Sequence, residues 1–236
     1  MSEPAGSALD PERDVVLATD AMSVGYGSYI VLHGVSVHVA AGEIVTLVGL
    51  NGAGKSTLLK TLIGTNPVLS GRMLLAGRDV TKWPAHRRVA AGVAFTPEGR
   101  RLFANMSVEA NLLVGAASLP RARERDGLAR VLELFPELRG RLAQRAGTLS
   151  GGEQQMVAIG RALMPGPRLL LVEEPSQGLA PVVIDRVYDA LRAIAASGVA
   201  VLIAEQFQQV REDVSDRILV IDAGQVSVYE PAGGVL

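Results

Sequence analysis

Residues 44–63 read IVTLVGLNGAGKSTLLKTLI, and the architecture follows from this stretch. Ile44 to Val48 is a continuous apolar run suited to a strand buried on both faces. Lys55 to Ile63 has helical spacing, and Gly64 follows as a natural helix stop. Between them, Gly49-Leu50-Asn51-Gly52-Ala53-Gly54-Lys55-Ser56-Thr57 fits G-x-x-x-x-G-K-[ST]. Strand, glycine loop and helix in that order are the setting this pattern requires. Glycines let backbone N–H groups converge on phosphate oxygens, and the helix N-terminus adds a favourable dipole. On this reading Lys55 reaches the β- and γ-phosphates, Ser56 ligates Mg²⁺ and Thr57 hydrogen-bonds an α-phosphate oxygen. An accidental glycine-rich turn is the alternative.

Outward from this unit, residues 35–39 (VSVHV) alternate as a half-buried antiparallel strand does. Further strands are expected at 72–75, 92–95, 168–172, 199–203 and 217–221, with helices between several of them. That alternation predicts a mainly parallel sheet covered on both faces. Residues 98–164 differ, with helical patterns at 107–114, 121–135 and 153–164 and no convincing strand, and they read as a helical lobe inserted into the core. Asp222-Ala223-Gly224 separates RILVI from QVSVY and reads as a hairpin.

Composition narrows the function classes. With 236 residues, 48% of them apolar, the chain can bury the core of one large α/β domain. A formal charge of -1 provides no global basic field for phosphate backbones, which argues against nucleic acid as partner. No cysteine is present, so disulfide frameworks and thiolate metal sites are excluded, and a reducing compartment fits. The first residues, MSEPAGSALDPERD, lack the basic and apolar segments of a secretory signal; residues 1–13 read as a disordered tail. Residues 21–42 carry no formal charge, but four glycines, three serines and two histidines interrupt them, so they do not read as a bilayer span. A link to a membrane must then come through a partner.

Two further motifs carry chemistry. The run 168–172 ends in Glu173-Glu174-Pro175, which places two carboxylates at the C-terminal end of a buried strand, where ligands of open α/β sheets bind. Two solvated glutamates are the alternative. Beside a phosphate loop, the pair makes sense as a metal-positioning residue and a water-activating base. Leu149-Ser150-Gly151-Gly152-Glu153-Gln154-Gln155 has capping-box spacing between Ser150 and Glu153 ahead of a helix. The same helix start is also an anion site, and the two roles are compatible.

Taken together, these residues resemble the ATP-binding cassettes of ABC transporters over nearly the whole chain after the tail. LSGGEQQ is similar to the ABC signature. The resemblance implies a P-loop NTPase core of class α/β with an N-terminal antiparallel β subdomain and an inserted helical lobe. It divides the chain into core at 14–97 and 165–236 and lobe at 98–164. It further implies a head-to-tail dimer binding two Mg-ATP, in which Ser150, Gly151 and Gly152 of one cassette meet the γ-phosphate held by the other. Position by position, Tyr26 matches the adenine-stacking aromatic, though a surface tyrosine is the alternative. Glu174 matches the general base. Residues 176–181 (SQGLAP) fall at the D-loop, and residues 95–103 (FTPEGRRLF) at the Q-loop that faces the permease.

Three positions depart from the family pattern. Glu173 replaces the usual metal-binding Asp and is one methylene longer, Glu98 replaces the Q-loop Gln, and Gln206 replaces the switch His. Glutamine can hydrogen-bond a γ-phosphate but takes up no proton near neutral pH. TPEGRRLF, EEPSQGLAP and AEQ are similar to the second ATPase of branched-chain amino acid importers. That resemblance implies a second cassette, the same or different, two transmembrane permease subunits, a substrate-binding protein, and a place on the cytoplasmic face of the membrane. Importers of urea, amides or other amino acids share much of the pattern, and a weakly hydrolysing regulatory cassette is the other alternative. His33, His38 and His86 lie far in sequence from these motifs and read as packing or surface residues. Arg121, Arg123, Arg125 and Arg130 read as a solvated helix face.

Overall fold

A computed structural model describes residues 14–117 and 119–229; the expected tail at 1–13 lies outside the described residues. In chain order the strands are β1 (Val15–Tyr26), β2 (Tyr29–Val35), β3 (His38–Ala40), β4 (Ile44–Val48), β5 (Val68–Leu75), β6 (Arg78–Asp79), β7 (Val93–Thr96), β8 (Leu169–Glu173), β9 (Ala200–Glu205), β10 (Arg217–Asp222) and β11 (Gln225–Val228). The α-helices are α1 (Lys55–Ile63), α2 (Ala85–Ala90), α3 (Val108–Gly115), α4 (Arg121–Leu134), α5 (Gly151–Leu163) and α6 (Pro181–Ala196). Short 3-10 turns lie at Pro136–Arg141, Ala146–Thr148 and Phe207–Gln209.

Among the described residues the strands form two sheets. One has the order β11-β10-β4-β9-β8-β7, parallel except for the β10–β11 hairpin. Every residue of β4, β8 and β9 is buried, as expected for parallel strands covered on both faces. Their side chains alternate between two cores. Leu169, Leu171, Leu202 and Ala204 face a core shared with α1 and the second sheet. Leu170, Val172, Val201 and Ile203 face a core built with α3, α4, α5 and α6. The hairpin at 222–224 is present: Asp222 pairs with Gln225, and Ala223 and Gly224 both take positive φ.

The second sheet is antiparallel, with order β2-β1-β5-β6 and β3 also paired to β1. Here the expected strand at 35–39 needs correction. Val35 ends β2 and His38 begins β3, because the chain changes its pairing along β1 between them. The Thr19 hydroxyl holds the break, donating to the Val35 carbonyl at 2.9 Å and accepting from the Val37 N–H at 3.0 Å. The expected strand at 72–75 is the second half of the longer β5.

Residues between β7 and β8 contain α3, α4, α5 and two of the 3-10 turns, with one isolated bridge between Ser107 and Arg145. Asn111, fully buried on α3, anchors the chain that enters this segment. Its amide accepts from the Phe103 N–H and donates to the carbonyls of Phe103 and Ser107, so all its bonds lie within the eight residues of chain that precede it. Arg88 performs a related service for α1. It is 1% exposed, and its guanidinium donates to the carbonyls of Thr61, Leu62, Thr81 and Trp83 and touches Met73 Sδ. Thr61 and Leu62 belong to the last turn of α1, where carbonyls run short of helical partners; Thr61 O also accepts from the Gly64 N–H at 3.1 Å. Arg88 thus caps the helix that follows the glycine loop. No helix among the described residues is long and apolar enough to cross a membrane.

Candidate active site

Four parallel strands of the first sheet end on one edge, and the chain leaving each of them carries a group singled out from the sequence. β4 leads to the glycine loop, β7 to Glu98, β8 to Glu173 and Glu174, and β9 to Gln206. A cavity of about 260 Å³ opens where they meet. Asn51, Gly52, Gly54, Lys55, Ser56, Thr57, Glu98, Glu174, Gln177 and Gln206 line it. No histidine is among them.

The glycine loop owes its shape to Gly54, which precedes α1 with φ of 112°. A Cβ there would be strained by that backbone and would press within 2.9 Å of Val31 Cγ1. No side chain caps α1, so its first N–H groups remain for an anion. Lys55 Nζ donates to the carbonyls of Gly49 at 2.7 Å and Leu50 at 3.2 Å, spanning its own loop. Burial pulls the Lys55 ammonium below its usual range, while the carboxylates of Glu174, Glu205, Glu173 and Glu98 oppose that shift. The Tyr26 hydroxyl lies 3.3 Å from Thr57 Oγ1 with its ring half exposed beside the cavity. The hydrogen bond with Thr57 holds the phenol below its ordinary value.

The acidic side of the cavity is a web of short contacts. Glu173 closes β8 almost fully buried, and its Oε2 accepts from the Glu98 N–H at 3.1 Å. Glu173 itself does not line the cavity, whereas Ser56 and Glu98 do. Gln177 Nε2 donates to Glu98 Oε1 at 3.0 Å. Glu174 takes φ of 43°, a left-handed conformation that costs a non-glycine residue about 1–3 kcal/mol. Its N–H donates to the Ala204 carbonyl at 2.8 Å, and its Oε2 accepts from Gln206 Nε2 at 3.1 Å. The strained backbone turns the carboxylate into the cavity and against Gln206.

The structure therefore brings together Lys55, Ser56, Thr57, Glu98, Glu174 and Gln206 with Asn51, Gly52 and Gly54, and Tyr26 stands at the flank. Gly49 and Ala53 shape the same loop without lining the cavity. Ser150, Gly151 and Gly152 sit elsewhere, at the start of α5, and do not line it. The expected capping box is present: the Ser150 hydroxyl accepts from the Glu153 N–H, and Glu153 Oε2 accepts from the Ser150 N–H at 2.8 Å. Arg141 steadies Glu153 at 2.7 Å. Sequence reasoning did not single out Glu205 or Gln177 as site residues. For Glu205 a signal existed, since a carboxylate ending the apolar run AVLIA is expensive to bury and needs a reason.

A family model described as ABC transporter matches residues 32–177. The high-affinity branched-chain amino acid transport ATP-binding protein BraG of Pseudomonas aeruginosa is 43% identical, over 94% of this chain and 95% of that protein. The probable branched-chain amino acid transport ATP-binding protein LivF of Archaeoglobus fulgidus is 34% identical, over 94% of each. Among solved structures, the ADP conformation of an ATP-binding cassette of an ABC transporter matches with a TM-score of 0.82 and 27% identity, covering 90% of this chain and 89% of that one.

Proposed function

The chain belongs to the ABC transporter ATP-binding family, and from that premise we propose that it is the ATP-hydrolysing subunit of an importer for branched-chain or other hydrophobic amino acids. One observation carries the catalytic part: the open start of α1, Lys55, and the Glu174–Gln206 contact share one cavity. The substrate part draws on the names of the relatives, BraG and LivF.

In this reading the loop N–H groups and Lys55 bind the phosphate chain of ATP, with Thr57 on an α-phosphate oxygen and Tyr26 against the adenine. Lys55 exchanges its loop carbonyls for the β- and γ-phosphates. Glu174 accepts a proton from a water molecule as the water oxygen attacks the γ-phosphorus, and the bond to the β–γ bridging oxygen breaks to release ADP. Gln206 orients Glu174 and reaches the γ-phosphate as a donor. Mg²⁺ fits the oxygen groups present. Ser56 and Glu98 both face the cavity and would hold such a hard cation through oxygen. Glu173 stands behind Glu98 through the bond from the Glu98 N–H. Bound there, the ion would neutralise charge on the phosphates.

Ser150, Gly151 and Gly152 belong, in this proposal, to the ATP site of a second cassette, identical or different, in a head-to-tail dimer. Their place outside this chain's own cavity supports that role. Residues 98–164 act as a helical lobe on a core formed by 14–97 and 165–236, and the lobe faces two transmembrane permease subunits at the cytoplasmic face of the membrane. A substrate-binding protein delivers the cargo to the permeases. Closure of the dimer on ATP moves them, and hydrolysis reopens it.

The test is Glu174→Gln, which should leave ATP affinity intact and lower turnover about 10²–10⁴-fold. Unchanged turnover in a complex whose partner site is disabled would defeat the assignment. A second reading, a slow regulatory cassette, draws on the position of Glu173 away from the cavity lining. Under it, Glu173→Asp would raise the single-site rate.

A further inference from the structure

Glu205 ends β9 with 1% exposure, and no step above uses it. Its Oε1 accepts from the Ser176 N–H at 3.1 Å and from the Tyr188 hydroxyl at 3.0 Å, and its Oε2 accepts from the Gln206 N–H at 3.3 Å. A buried carboxylate with this many donors is compensated, and removing it leaves those donors without an acceptor. Burial pushes the Glu205 carboxyl above its ordinary range, and the bonds from Ser176, Tyr188 and Gln206 oppose that shift.

The contacts form a closed ring. From Glu174 the chain passes through Pro175 to Ser176, whose N–H reaches Glu205. From Glu205 the next residue is Gln206, whose side-chain amide returns to Glu174 Oε2. Each arm is only one or two residues long, so there is little slack. Glu174 sits at the strained vertex with φ of 43°, and Glu205 occupies the opposite vertex. Ser176 Oγ is buried without a hydrogen-bond partner, so on the donor side this residue is held through its N–H alone. Tyr188 ties the vertex to α6, and the Arg211 guanidinium stacks 5.7 Å from the tyrosine ring centre.

Resting on the hydrolytic reading of Glu174 and Gln206, we propose that Glu205 is a positioning residue. Its carboxylate sets the spacing between the two chain segments that carry the base and its orienting amide. It touches neither ATP nor the attacking water. It holds the D-loop start and the switch residue at one distance, and that distance decides whether Glu174 meets the water in line.

Glu205→Gln is the informative variant. The amide keeps one oxygen for Ser176 and Tyr188 but turns an N–H₂ group toward the Gln206 N–H, so one arm of the ring opens. In the full-length chain, ATP affinity is measured with a fluorescent ATP analogue, and hydrolysis per bound nucleotide is measured in parallel. The expected result is an affinity within about 3-fold of wild type and a turnover lowered by about 10-fold or more, as sub-ångström misplacement of reacting groups produces. On the residual rate of Glu174→Gln, adding Glu205→Gln should cost nothing further, because both act through one base. A merely structural role would lower the fraction of chain that binds ATP and leave turnover per bound nucleotide unchanged; that result overturns the proposal, as does full additivity with Glu174→Gln. If Glu205→Gln does not fold, Tyr188→Phe removes one donor and keeps the charge. It should lower turnover about 3-fold at unchanged affinity, and wild-type turnover would equally overturn the proposal. If Glu174→Gln alone leaves turnover intact, the hydrolytic reading fails first and this inference falls with it.

Discussion

Replacing Arg88 with methionine tests the argument that a side chain outside the cavity secures the phosphate-loop helix. Four backbone carbonyls lose a charged donor: Thr61 and Leu62 in the last turn of α1, and Thr81 and Trp83 in the segment between β6 and α2. Thr61 O keeps the Gly64 N–H, so three acceptors are left without a partner, and at about 1–2 kcal/mol each the loss is about 3–6 kcal/mol. Methionine fills most of the volume and abolishes the desolvation penalty of the guanidinium, which returns several kcal/mol. The net expectation is a loss of about 1–3 kcal/mol, an appreciable share of the stability of an ordinary domain. Urea unfolding measures it, followed by the fluorescence of Trp83, the single tryptophan, whose carbonyl is one of the four acceptors. The midpoint should fall with the denaturant slope unchanged. A loss below about 1 kcal/mol at constant slope would refute the reasoning, because the carbonyls would then find other partners without cost.

Four shorter predictions accompany it. Ser150→Ala removes the capping box and should cost about 1 kcal/mol by urea unfolding, while the isolated chain keeps its ATP affinity and the assembled transporter loses turnover. Gly152→Ala places a Cβ 2.2 Å from Val183 Cγ1 and should destabilise by about 1–3 kcal/mol; adding Val183→Ala should restore most of it, and a double variant as unstable as the single would contradict the close approach of α5 and α6. Arg211 and Arg192 hold the Asp213 carboxyl at about 2, below its usual value, so its contribution is present above the unfolded value and is lost as pH falls through the folded one. The groups are largely exposed, so Asp213→Asn should cost less than about 1 kcal/mol near neutral pH and nothing below pH about 2, as melting curves across that range would show. With Gln206 in the switch position and no histidine lining the cavity, turnover should show no limb near pH 6–7, whereas Gln206→His should introduce one.

Much of this was legible in the sequence because it rests on local rules. The run IVTLV, the glycines and Lys55 specify strand, loop and helix within about twenty residues of chain, and the predicted strands β7, β8, β9 and β10 differ from the observed ones by a residue or two. The capping box at Ser150 and the hairpin at Ala223-Gly224 were equally local. β1 was harder to read. Its register slips between Asp20 and Ser23, where Ala21 takes a left-handed φ of 44°, and the slip breaks the alternation that would mark a long strand.

Local sequence supplies the inventory: a phosphate loop, two carboxylates after a buried strand, an amide after another, and a capped glycine helix start. Which of these meet depends on how the strands are ordered in space. Glu174 and Gln206 are separated by 31 intervening residues, yet β8 and β9 lie side by side in parallel register and end together. The same pairing makes Glu205 the vertex of a ring rather than an isolated charge, and it leaves Glu173 behind Glu98 instead of in the cavity. Such contacts depend on strand order, and strand order is set by the burial of two sheet faces at once, which no single stretch of sequence contains.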